Sequence, residues 1–80
     1  MKNTDPEEKE INSAISAKIR EMRIATGITQ AEFADLLGGV SQAYVNRIER
    51  AEYSFSISVL RRICKALDTT LTDFFDDLGL

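Results

Sequence analysis

Apolar residues recur along this chain at spacings of three and four, and nowhere alternate with period two over the length of a strand. Ile11, Ile15, Ile19 and Met22 follow one another at four, four and three residues, which lays them on one face of a helix. Asp5 stands where an N-cap belongs, Pro6 suits the first helical position, and Glu8 completes a capping box. A first helix is therefore expected over about Pro6 to Thr26, ended by Gly27; the apolar pattern without the cap signals starts it nearer Ile11. Thr29 and Glu32 form a second capping box ahead of Phe33, Ala34 and Leu37, and Gly38-Gly39 stops that helix. Ser41 caps a third helix with Tyr44, Val45 and Ile48 on its apolar side, and Glu52-Tyr53-Ser54-Phe55 reads as a loop. Ser56 opens a fourth helix carrying Val59, Leu60, Ile63, Cys64 and Leu67. Thr70 caps a short fifth, with Asp73 in its first turn and Leu71, Phe74 and Phe75 to bury. Five short helices in 80 residues predict an all-α fold, a compact five-helix domain.

Composition narrows what such a domain can do. A single Cys forms no internal disulfide, which points to a reducing compartment, the cytoplasm. No run approaches the ~20 apolar residues of a membrane span, and the opening MKNTDPEEKE is too acidic for a secretory signal. With no His and one Cys, a zinc site or a His-based triad has no ligands to use. The acids are scattered and no nucleophile–base constellation is visible, so neither an enzyme nor a cofactor is expected.

Charge changes the picture once it is placed along the chain. Ten Lys and Arg against 13 Asp and Glu give a formal −3, which taken whole argues against nucleic acid. Yet residues 1–10 net −2, and residues 68–80, with Asp68, Asp73, Asp76 and Asp77 as their only charges, net −4. Residues 11–67 net +3, from Lys18, Arg20, Arg23, Arg47, Arg50, Arg61, Arg62 and Lys65 against five acids. A basic middle lies between two acidic ends.

Two capped helices of eight to eleven residues joined by a tight Gly turn point to a helix-turn-helix. Gly27-Ile28-Thr29-Gln30-Ala31-Glu32-Phe33-Ala34, then Gly38, then Val40-Ser41 and Val45-Asn46-Arg47-Ile48-Glu49, resembles the phage-repressor (Xre-type, Cro-like) helix-turn-helix family of transcriptional regulators. Leu60-Arg61-Arg62-Ile63-Cys64-Lys65-Ala66-Leu67, with Leu71 and Phe74-Phe75, resembles the last two helices of that family. The resemblance spans about Ile15 to Phe75. It implies a lambda-repressor-like DNA-binding domain over 11–75, preceded by an acidic extension (1–10) that can lengthen helix 1 and followed by an acidic tail (76–80). It also implies a homodimeric, sequence-specific regulator, such as a repressor, with helix 3 (about 42–50) in the major groove of double-stranded DNA.

Residue by residue, the resemblance puts Gln42, Ala43 and Arg47 at base-reading positions. Gln42 suits adenine, Arg47 suits guanine, and the Ala43 methyl suits the methyl of thymine. Gln30 approaches a phosphate with its side chain and helix N-terminus, Ser41 sets the start of helix 3, and Tyr44 and Asn46 are candidate backbone contacts. Arg23 and Glu49 match positions that pair in many family members, tying helix 1 to helix 3. Plainer roles stay open beside these. Gln30 and Gln42 suit a helix surface, and Tyr44 can pack with its hydroxyl in water. Arg20, Arg61, Arg62 and Lys65 suit solvated faces, and Cys64 suits a buried inert thiol.

The chain departs from the family pattern at three places. Gly38-Gly39 looks like a one-residue insertion in the turn, which glycine can absorb. Ala51 replaces the usual glycine after helix 3, at a cost in strain if that residue is left-handed. Glu52 lies in a loop that often offers basic residues to phosphate. Two functions therefore compete. One is the DNA-binding homodimer, with Ile11 or the terminal Phe75, Leu78 and Leu80 as candidate dimer surfaces. The other is a module for a protein partner, antitoxin-like or anti-repressor, favoured by the Asp-rich end.

Overall fold

The computed structural model describes residues 5–79, and Leu80 and residues 1–4 lie outside them. The described residues form α1 (Pro6–Thr26), α2 (Gln30–Leu36), α3 (Gln42–Glu49), α4 (Ile57–Ala66) and α5 (Leu71–Leu78), with no strand among them. Each start is a side-chain cap that takes up a free backbone N–H of the first turn. Ser41, Ser56 and Thr70 accept from the N–H groups of Tyr44, Val59 and Asp73 at 3.1, 3.2 and 3.1 Å. Thr29 and Glu32 close a full capping box, at 3.0 and 2.8 Å. The box expected at α1 does not form: Asp5 accepts from the N–H of Glu7, one residue earlier than the box geometry requires, and Glu8 takes no part.

The helix ends show how the chain turns. After α2 the N–H of Gly39 bonds the Ala34 carbonyl at 3.1 Å and that of Gly38 bonds the Asp35 carbonyl at 3.1 Å, a Schellman closure. Gly38 and Gly39 both take positive φ, 100° and 82°. Two successive left-handed residues absorb the additional glycine, and the N–H of Val40 still reaches the Ala34 carbonyl at 3.2 Å. The same closure stops α2 at seven residues, below the expected eight to eleven. Both bonds recur after α4, from Thr69 N–H to the Cys64 carbonyl and from Asp68 N–H to the Lys65 carbonyl, and the longer one recurs after α3, from Glu52 N–H to the Arg47 carbonyl. There the left-handed residues are Ala51 (φ 61°) and Asp68 (φ 59°).

One core joins all five helices: Ile15 and Ile19 of α1, Phe33 and Ala34 with the following Leu37, Val45 and Ile48 of α3, Leu60, Ile63 and Cys64 with Leu67, and Phe74 of α5. Ala34 leaves room for α2 to meet α3, and Ile19, Phe33, Val45, Ile48 and Phe74 are wholly buried. Ile11, placed by its spacing on the core face of α1, is 38% exposed, all the residues before it from Asp5 are exposed too, and the core on α1 begins at Ile15. Phe75 and Leu78 pack against the core. Asp76 and Asp77, at the start of the acidic segment 76–80, lie in the last turns of α5, where Asp77 meets Lys18 at 3.7 Å. Burial pushes the Cys64 thiol pKa up, which keeps it in the unreactive neutral form.

Ala51 carries a Cβ in the left-handed region, at a cost of roughly 1 kcal/mol that glycine avoids. Ala51→Gly is expected to raise the unfolding free energy by about 1 kcal/mol, read as a higher urea midpoint with an unchanged slope.

Candidate nucleic-acid interface

The buried residues of α3 are Val45, Ile48 and Glu49, spaced so that one side of the helix is held in the domain. Ala43 and Arg47 stand exposed on the other side, Gln42 is exposed in the first turn two turns ahead of Glu49 along the same edge, and Asn46 is half-buried between them. Gln30, the first residue of α2, is half-buried and in hydrogen-bond contact with both ends of α3. Rigid packing on one side and free polar side chains on the other is what a reading helix needs. The predicted DNA-binding residues Gln30, Gln42, Ala43, Asn46 and Arg47 thus lie on or against a single helix, and Ser41 sits at its cap.

Arg23, in the last turn of α1, reaches Glu49 with both ends of its fork: Nε to Oε2 at 2.6 Å and Nη2 to Oε1 at 3.1 Å. Its remaining Nη1 donates to the Ile28 carbonyl at 2.9 Å, in the connection to α2. The Glu49 side chain is 2% exposed and that of Arg23 12%, so the pair is shielded from water. Sequence spacing does not show that a third donor arrives: Gln30 Nε2 bonds Glu49 Oε1 at 3.2 Å. Gln42 Nε2 in turn donates to Gln30 Oε1 at 3.4 Å. One polar chain therefore runs from the end of α1 through Glu49 and Gln30 to the exposed first residue of α3.

Tyr44 is placed differently from a side chain with its hydroxyl in water. It donates to the Tyr53 hydroxyl at 3.1 Å, with the rings edge to face at 5.5 Å, and Tyr53 meets Phe55 in the same way at 5.3 Å. Burial, followed by this hydrogen bond, raises the Tyr44 pKa, while Arg62 and Arg47 pull it down. The hydroxyl stays protonated, with its one proton given to Tyr53. Tyr53 and Phe55, two aromatics in an otherwise polar loop, both pack against the core, and that composition is the sequence signal for it. Glu52 meets Arg50 at 3.2 Å in an exposed pair, so this loop presents no free cation. Arg20, Arg61, Arg62 and Lys65 are exposed. Among the described residues no three His, Cys, Asp or Glu side chains are grouped to hold a metal, and no helix is long and apolar enough to cross a membrane.

Comparison with known proteins gives this geometry its context. A helix-turn-helix family model matches residues 19–74, more than half of the chain. Among solved structures, a variant of the restriction-modification controller protein C.Esp1396I is 30% identical, with 88% of this chain and 92% of that one covered and a TM-score of 0.79. The same controller protein, solved as a tetramer in complex with its natural 35 base-pair operator, is 29% identical over 86% of this chain and 90% of that one, with a TM-score of 0.78. The clp gene regulator ClgR from Corynebacterium glutamicum is 28% identical over 86% of this chain and 72% of that one, with a TM-score of 0.77. No curated protein sequence matches.

Removing one partner of the buried pair strands the other charge. Arg23→Met is expected to lower unfolding free energy by about 3–5 kcal/mol, whereas Arg23→Met with Glu49→Leu recovers most of that loss. Urea unfolding of the three proteins checks both expectations.

Proposed function

The chain belongs to the helix-turn-helix family, and we propose that it is a sequence-specific DNA-binding transcriptional regulator. It acts as a homodimer, each subunit setting α3 in the major groove of double-stranded DNA. The observation that carries this is the face of α3, where Gln42, Ala43 and Arg47 are exposed while Val45, Ile48 and Glu49 hold the helix in the core. The operator complex of the 29% identical controller protein supports DNA as the partner. In this reading Gln42 takes adenine, Arg47 takes guanine and Ala43 meets a thymine methyl. Gln30 and the start of α2 face a phosphate, and Tyr44 and Asn46 touch the backbone alongside. One such helix reads few bases, so two subunits on half-sites about 34–36 Å apart, or a multiple, supply the length of site that specificity requires. The protein is a binder and not a catalyst, and it works in the cytoplasm, where a lone buried thiol stays reduced.

Exposed Asp73, Asp76 and Asp77 on α5 favour a second reading, an interaction module for a protein partner of antitoxin or anti-repressor type. Selection from a random duplex pool separates the two. The DNA reading expects retained duplexes with two related half-sites and a log–log salt slope near −7 for roughly 8 phosphates. Arg47→Ala is expected to relax preference at one base pair, at a cost of ~1–3 kcal/mol. No duplex retained at about 50 mM salt would favour the protein partner.

A further inference from the structure

We propose that Glu49, buried behind the DNA-facing surface, determines which base Gln42 accepts, by fixing the direction of two side-chain amides. This rests on the DNA reading above and adds to it a specificity-determining positioning residue. An ionised carboxylate can only accept hydrogen bonds. That of Glu49 is cut off from water and receives three N–H groups, two from Arg23 and one from Gln30.

The consequence passes down the chain of bonds. An amide has one donating and one accepting end, and Glu49 tolerates only the donating end of Gln30. Gln30 Oε1 is thereby turned towards Gln42, which must offer it an N–H, and does so at 3.4 Å. Gln42 is left with one free N–H and a free Oε1. That pair complements adenine, which shows N7 as acceptor and N6–H as donor in the major groove. Guanine shows two acceptors, N7 and O6, and would call for two N–H groups from Gln42. One of them is already committed. Arg23 holds the carboxylate in place with two N–H groups, and its hold on the Ile28 carbonyl keeps the start of α2 with it.

A merely structural tie between α1 and α3 would stabilise the domain without affecting base choice, and two variants separate the roles. In Glu49→Gln the buried group can present either end, so both amides can reverse together. In Gln30→Met the ion pair is intact and the link is cut; the phosphate contact of Gln30 is lost equally on every duplex, so the adenine-to-guanine ratio is the readout, and this variant covers the case in which the first fails to fold. The protein and both variants are compared by the side-chain amide NMR signals of Gln30 and Gln42 without DNA. Their binding is then measured to four duplexes that differ only at the base pair read by Gln42. Expected are a shift of the Gln42 amide in both variants and a loss of adenine-over-guanine preference of ~10-fold or more, with preference at the Arg47 pair retained. An unmoved Gln42 amide, or an equal loss of affinity on all four duplexes, overturns the proposal. If the amides respond and the wild type retains no duplex, the DNA reading fails and base selection fails with it. If the wild type selects duplexes and neither variant changes the adenine-to-guanine ratio, the DNA reading stands and this proposal falls.

Discussion

A carboxylate with a 2% exposed side chain is the constraint around which this domain is arranged. Taking the two ions out of water costs several kcal/mol each, and their attraction offsets that only with good geometry and few unused lone pairs. The bidentate Arg23 fork, the Ile28 carbonyl on its third nitrogen and the Gln30 amide meet that requirement. Each partner comes from a different place: the end of α1, the connection after it, the start of α2 and the end of α3. Satisfying one buried charge therefore brings both helices of the motif into register with α1. Hydrophobic packing through Val45 and Ile48 seats α3, and the polar cluster determines how its two ends stand relative to Gln30.

Charge plays a smaller part in this domain than a DNA-binding role would suggest. The formal −3 is the sum of a basic middle and acidic ends, with exposed Asp73, Asp76 and Asp77 on α5 and Arg50 paired to Glu52. Non-specific attraction to phosphate is correspondingly modest. On the proposed DNA-binding role, affinity would have to come from shape, base contacts and the pairing of subunits. A stiff reading surface serves that better than added cations, and the Tyr44–Tyr53–Phe55 stack braces α3 against the loop after it.

The helices were legible in the sequence because their starts are local chemistry: Thr29, Ser41, Ser56 and Thr70 each cap a residue three positions on. The two-glycine turn was legible for the same reason, and so was the strain at Ala51, given the family pattern. Distances between elements were not. Ile11 continues the apolar period of α1 but stays 38% exposed and outside the core, since periodicity names a face and not its length. The Arg23–Glu49 pair was reached through family resemblance. The Gln30–Glu49 bond, spanning 19 residues, had no sequence signal, because any exposed glutamine looks the same until the fold brings an acceptor to it. Tyr53 was missed because an aromatic in a short loop does not name its partner.

The central claim is that the exposed side of α3, held from behind, is the DNA surface. Titrating the isotopically labelled protein with its selected duplex and following backbone and side-chain amide signals tests that most directly. The account predicts that the largest changes fall on Gln30, Gln42, Ala43, Asn46 and Arg47, with the exposed residues of α5 unchanged. Changes concentrated on α5 around Asp76 and Asp77, with α3 silent, would contradict it.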